Sequence, residues 1–158
     1  MAINKDEIFL NRSEIKKEAA RLHEMGYNCA QSVVCAMAPA IDLDADGAFV
    51  LAEGFGAGMG GMTETCGAVS GAVMALSQVE STGRDQIGSK AKTYRLSREL
   101  SARFASANGS TRASAQRPEP CAAARAASMT RSTSPLIFWS SRARTRQTRD
   151  SAPRLRAL

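Results

Sequence analysis

The sequence predicts an all-α protein: a small helical bundle followed by an irregular C-terminal tail. Three observations carry that prediction. Apolar residues recur at helical intervals from Ile15 to about residue 104. No run alternates apolar and polar residues for long enough to build a sheet. The helical segments open on residues that can cap them, or close on glycine.

The elements follow in order. Asn11 and Glu14 have the spacing of a capping box, and Ile15, Ala19 and Leu22 fall on one face behind them. Gly26 offers the position just past that helix, where a left-handed residue ends it. Asn28 can cap a second helix from Cys29 to about Met37, with Cys29, Ser32, Val33 and Ala36 on one side. Asp46 to Glu53 is a short apolar helix holding Ala48, Phe49, Leu51 and Ala52. Thr65 can cap a fourth helix from Cys66 to about Val79, on which Gly67 and Gly71 lie one turn apart and permit a close backbone approach. A fifth runs from about Arg84 to Phe104, with Ile87, Tyr94, Leu96, Leu100 and Phe104 available for the core.

Length and composition narrow the class. A chain of 158 residues with 44% hydrophobic content and only 4 Cys fits one domain with an appended segment. It is neither collagen, nor a disulfide-dense miniprotein, nor a wholly disordered chain. The uncharged stretch from Thr65 to Val79 is too short and too Gly-rich for a bilayer, which takes about 20 apolar residues. The N-terminus carries acids and no apolar targeting core, so we expect a cytoplasmic protein. The net charge of +6 divides unevenly, with −3 on residues 1–100 and +9 on residues 101–158. All the basicity sits in a lysine-free tail rich in Arg, Ala and Ser, so we place a domain boundary at residues 104/105.

Two cysteines share one setting. Cys29 follows Asn28 and Cys66 follows Thr65, so each sits in the first turn of a predicted helix. Unpaired N–H groups and the positive end of the helix dipole favour a thiolate there, and the thiolate is both the nucleophile and the metal ligand. The competing reading makes both small buried hydrophobes. Cys35, mid-helix among Val33, Val34, Ala36 and Met37, reads as core, and Cys121 falls in the tail. The absence of any C-x-x-C argues against a thioredoxin-type motif, a zinc ribbon and covalently attached haem.

Residues 54–61 contain a formal G-x-G-x-x-G at Gly56, Gly58 and Gly61. A dinucleotide site needs a strand before that pattern, and here a helix precedes it. We read Gly54, Gly56, Gly58, Gly60 and Gly61 as a tightly wrapping loop that brings Cys66 toward Cys29. His23, beside Arg21 and Glu24, reads as solvated surface, and Asp42, Asp44 and Asp46 as a solvated turn.

The strings GYNCAQSVV and GFGAGMGGMTETCGAVSGAVMAL resemble the putative redox-active family known by its C-GCAxxG-C-C (CGAxxG) pattern. The resemblance covers about residues 13–104 and rests on the NCAQ helix start and on Cys66, Gly67, Ala68 and Gly71 in the family's order. It implies a small bacterial helical protein with four characteristic cysteines, of which Cys29 and Cys66 match the first two. It implies thiol-based redox chemistry, for which we expect Cys29 and Cys66 to act as a dithiol/disulfide pair; the alternative is ligation of an iron–sulfur cluster or another thiophilic metal by the same two thiolates with the two later cysteines. The partner would be an unidentified redox protein or a small-molecule oxidant.

The tail departs from the family pattern. Its composition is what a GC-rich gene gives when read out of frame, so we expect a frameshift between Phe104 and Cys121, which the nucleotide sequence decides. Loss of a terminal helix would bare apolar surface and favour self-association. A basic nucleic-acid-binding arm on a non-enzymatic helical interaction module is the rival reading, with Leu136-Ile137-Phe138-Trp139 as a stacking patch. The arginines form no stripe at helical spacing, so nucleic-acid binding is not expected.

Overall fold

A computed structural model describes residues 11–115. Five α-helices form the described chain: α1 Arg12–Glu24, α2 Cys29–Met37, α3 Ala45–Ala52, α4 Gly67–Glu80 and α5 Lys90–Asn108. The described residues contain no strand, only one isolated antiparallel bridge between Thr65 and Arg112. The all-α class expected from periodicity is the class found.

The short helix α2 is the centre of the bundle. It packs on α1, α3 and α4, and α5 packs on α4. Small side chains make this arrangement possible. The buried set is dominated by alanines, among them Ala30, Ala38, Ala52 and Ala75 with no exposed surface. Ile41 and Val34 are the largest apolar side chains fully enclosed. Helices carrying alanine and glycine at their contacts come close enough for backbone to meet backbone.

Local chemistry sets most helix ends. After α1, the Gly26 N–H donates to His23 O and the Tyr27 N–H to Leu22 O, with Gly26 at φ +100°. This is the double-bonded glycine stop, and Tyr27 and Leu22 border one apolar cluster beside it. At the other end of α1 the expected capping box does not form. The Asn11 side chain makes no cap bond, and Glu14 instead pairs with Lys17 at 2.9 Å. The solvated turn assigned to the three aspartates also needs correction. Asp44 caps α3, its carboxylate accepting from the N–H groups of Asp46 and Gly47, so the helix starts one residue early. Phe49 of α3 packs edge-on against Tyr27 at 4.8 Å, whereas Leu51 is 70% exposed.

Two helices differ from expectation at their termini. Cys66, not Thr65, is the residue preceding α4, and no side chain caps it. α5 begins at Lys90 rather than near Arg84, because residues 84–89 form a turn and a single 3-10 turn, Ile87–Ser89. Ile87 and Tyr94, expected in the core, are 71% and 59% exposed, while Leu96 and Phe104 are buried and Leu100 borders the core. The helix does not fade at Phe104. It continues to Asn108 and stops at Gly109, φ +85°. Residues 110–115 then turn back along residues 62–66. The remaining tail features, including Cys121, the Leu136–Trp139 patch and the expected frameshifted sequence, lie outside the described residues.

Between α3 and α4 the chain makes a left-handed run. Ala57, Gly58, Met59, Gly60 and Met62 all have positive φ. An L-residue with a Cβ costs about 1 kcal/mol or more in that region. Met59, at φ +60° and half exposed, pays this cost with little burial in return. Met59→Gly is expected to raise stability by about 0.5 kcal/mol, after the looser unfolded chain is counted. A Tm increase of about 2–4 °C in a thermal melt checks it.

Candidate functional site

The site grows from the first turn of α2. Asn28 sits outside the helix, φ −70° and ψ 169°, and its Oδ1 accepts from the Ala30 and Gln31 N–H groups at 2.9 and 3.0 Å. The Gln31 side chain reaches back to accept from the Asn28 N–H at 3.0 Å, completing a reciprocal capping box. The other half of the Asn28 amide donates to Glu53 O at 2.9 Å, which ties the end of α3 to the start of α2. The glycine loop leaves this contact over the same side chain. A Cβ at Gly56 would lie 2.5 Å from the Asn28 Cγ, so only glycine passes there.

The start of α4 closes on the same turn. A Cβ at Gly67 would stand 2.8 Å from both Ala30 N and Phe55 O, and 3.2 Å from the Cys29 Cβ. A Cβ at Gly71 would stand 2.5 Å from Ala30 O. The two glycines of the CGAxxG string are therefore the seam along which α4 lies on α2. Of the loop glycines, Gly58 faces Ala113, whose Cβ would be only 2.7 Å from a Cβ placed there, and Gly60 sits in the left-handed run. Gly54 and Gly61 meet no such demand: nothing lies within 4 Å of a Cβ at Gly54, and the nearest atom to one at Gly61 is 3.5 Å away.

Cys29 opens α2, half-buried, and Cys66 precedes α4, 3% exposed. Cys66 lies within the apolar cluster formed with Val33, Ala68, Val69 and Phe104, and Cys29 packs against that cluster. The Cys66 main chain is firmly held. Its N–H donates to Thr111 O at 2.8 Å, and its carbonyl accepts from Val69 and Ser70 at 2.9 and 3.2 Å. Among the described residues, Cys29, Cys35 and Cys66 are not joined by a disulfide.

Cys35 is separated from this pair. It is half-buried between two other clusters, and its Sγ donates weakly to Ala45 O at 3.7 Å. Burial first, and the nearby Asp46 carboxylate second, push its thiol pKa up. A raised thiol pKa weakens a nucleophile, and the place of Cys35 against two apolar clusters fits the core reading. His23 is not free surface either. It is half-buried, and its Nδ1 donates to Tyr27 O at 2.9 Å, bracing the turn that leads to Asn28.

Two contributors escaped the sequence reading. Thr111, through its carbonyl, holds the Cys66 N–H, and Glu53, through its carbonyl, holds Asn28. Main-chain partners leave no side-chain signature. The one available signal was the Asn108-Gly109 pair, a helix stop after which the chain can turn back.

Ligation asks for more donors than these elements supply. No group of three or more His, Cys, Asp or Glu among the described residues comes together to hold a metal ion. Two sulfurs are half the set of a four-coordinate zinc or iron–sulfur site. The described residues therefore do not by themselves fit a cluster. No described helix is long and apolar enough to cross a membrane.

A family model described as "Putative redox-active protein (C_GCAxxG_C_C)" matches residues 27–132. The match begins later than the resemblance at residues 13–104 suggested and runs past it, taking in all four cysteines. No curated protein and no solved structure matches the chain.

Proposed function

The chain belongs to the C_GCAxxG_C_C family, described as putative redox-active proteins, and we propose that within it Cys29 and Cys66 work as a dithiol. The observation that supports this reading is the contact between the two helix starts. The residue next to Cys66 has its Cβ position 3.2 Å from the Cys29 Cβ, and both cysteines border one apolar cluster.

Their unequal exposure supports a division of roles between them. Cys29 is half-buried and at the first position of a fully capped helix, so its thiolate attacks a disulfide substrate from solvent. One substrate sulfur bonds to Cys29 and the other leaves as a thiolate. The Cys66 thiolate then attacks the Cys29 sulfur, the second substrate thiolate departs, and two electrons have passed from protein to substrate. The protein ends with a Cys29–Cys66 disulfide, which an external dithiol must reduce for another turnover.

The test uses an aromatic disulfide reagent that releases a coloured thiolate, on protein carrying Cys35→Ser and Cys121→Ser. With both site cysteines present, two equivalents of thiolate are released and mass spectrometry finds no retained adduct. Cys66→Ala releases one equivalent and keeps the adduct on Cys29. Cys29→Ala slows the reaction at least tenfold. Retention of an adduct on each cysteine in the parent protein would refute the pairing and leave both thiols as packing groups.

A further inference from the structure

We propose that the exposed apolar and acidic segment from Val50 to Glu64 is a docking surface for a polypeptide partner. That partner presents its disulfide to Cys29 on a stretch rich in apolar and basic side chains. Its delivery to Cys29 rests on the dithiol reading, to which it adds the class of substrate.

The apolar part lies within a few turns of chain. Val50 and Leu51 are 68% and 70% exposed, Met59 and Met62 46% and 50%, and Phe55 36%. Helix α3 buries Ala48 and Ala52 in one cluster with Ala30 and Val34 of α2, which leaves Val50 and Leu51 outside that contact. Large apolar side chains gathered like this mark an interaction site, whereas singly scattered ones do not.

The same segment borders the outer thiol. Asn28, the neighbour of Cys29, donates from Nδ2 to Glu53 O at 2.9 Å. A Cβ at Gly67 would lie 2.8 Å from Phe55 O and 3.2 Å from the Cys29 Cβ, so Phe55 and Cys29 meet at one glycine. Cys29 is half-buried there.

Charge selects the partner. From Gly26 to Gly83 the chain has no Lys, Arg or His, but it has Asp42, Asp44, Asp46, Glu53, Glu64 and Glu80. Asp46, Glu53 and Glu64 are exposed. Among the described residues no cation pairs with Glu53 or Glu64. Such a surface repels nucleic acid and anionic lipid and draws a cationic polypeptide.

The experiment uses the full chain, kept reduced, and two fluorescent peptides without cysteine. One alternates leucine and arginine, the other serine and glutamate. In fluorescence anisotropy the first binds at least tenfold tighter, and raising salt from about 50 to about 300 mM weakens it about threefold. Leu51→Lys weakens it at least fivefold and Val50→Ser at least twofold. Ile87→Ser, at a side chain 71% exposed beyond the opposite end of α4, leaves it within twofold. This arm involves no thiol, so it decides the surface whatever the outcome for the Cys29–Cys66 pair.

A second arm gives each peptide one cysteine, joined by a disulfide to the coloured aromatic thiol, and uses protein carrying Cys35→Ser and Cys121→Ser. Cys29 attacks the peptide sulfur and the aromatic thiolate leaves. Each release rate is divided by that of the same peptide with a free small thiol. The quotient is at least tenfold larger for the leucine–arginine peptide, and Leu51→Lys cuts this advantage at least fivefold. Equal affinities, no loss in Leu51→Lys, or no binding because the chain's own arginines in residues 116–158 hold the face would overturn the docking surface. Binding with equal quotients would put the surface out of reach of Cys29 and overturn the substrate class.

Discussion

Gly71→Ala is expected to destabilise the protein by about 2–3 kcal/mol, and Gly67→Ala by a similar amount. The alanine methyl at position 71 has 2.5 Å to Ala30 O and 3.2 Å to the Ala30 carbonyl carbon and Cα. All three are backbone atoms of α2, a helix enclosed between α1, α3 and α4. No flexible side chain can swing aside, so α4 must slide or tilt away from α2. That motion loosens the contacts of Ala30, Val34, Ala48 and Ala52, all buried in one cluster. Overpacking of a rigid core costs about 1–3 kcal/mol and sometimes more, while alanine returns about 1 kcal/mol of helix propensity. The loss dominates because the collision is with main chain. For a domain of this size the Tm should fall by roughly 10–20 °C. Gly54→Ala is the matched control, since nothing lies within 4 Å of its Cβ position, and its stability should stay within about 0.5 kcal/mol of the parent. Equal thermal melts for Gly71→Ala and Gly54→Ala would mean that the two helices do not meet along this seam.

The seam also explains how much of the site the sequence could reveal. Features governed by a few neighbouring residues were readable: the Asn28 cap with Gln31 three residues on, the Gly26 stop, and glycines one turn apart on α4. Errors arose where distant partners decided the outcome. Tyr94 and Ile87 have helical spacing with Leu96 and Phe104, but α5 packs mainly on α4, so only a narrow stripe of it is covered. Asn11 and Glu14 have the spacing of a capping box, yet Glu14 has an alternative partner in Lys17 on the exposed face. The return of residues 110–115 along residues 62–66 was invisible for a different reason. Its bonds to residues 62–66 are all main chain, and its own residues, Ser110 to Ala115, share the Arg, Ala and Ser composition of the tail that follows. Composition changes at Phe104, whereas the hydrogen bonding that matters to Cys66 continues as far as Ser114.

Asn28→Ala should cost about 2–3 kcal/mol, the second large effect, because one side chain serves two elements. Its Oδ1 satisfies the N–H groups of Ala30 and Gln31, a cap worth about 0.5–2 kcal/mol. Its Nδ2 satisfies Glu53 O, a neutral hydrogen bond worth about 1 kcal/mol. The substitution also leaves a void where Gly56 presses on the Asn28 Cγ. Asn28→Asp separates the two roles. A carboxylate keeps the cap and suits the positive end of the helix dipole, but it cannot donate to Glu53 O, so the loss should shrink to about 1 kcal/mol. Chemical denaturation orders the three proteins as parent, Asp, then Ala. The thiol gives the complementary reading. A fixed negative charge on the residue preceding Cys29 opposes formation of its thiolate, so Asn28→Asp should react more slowly with the aromatic disulfide than its stability alone would suggest. If Asn28→Asp matched Asn28→Ala in stability, the bond to Glu53 O would be the main contribution, and the start of α2 would be held by the loop rather than by its own cap.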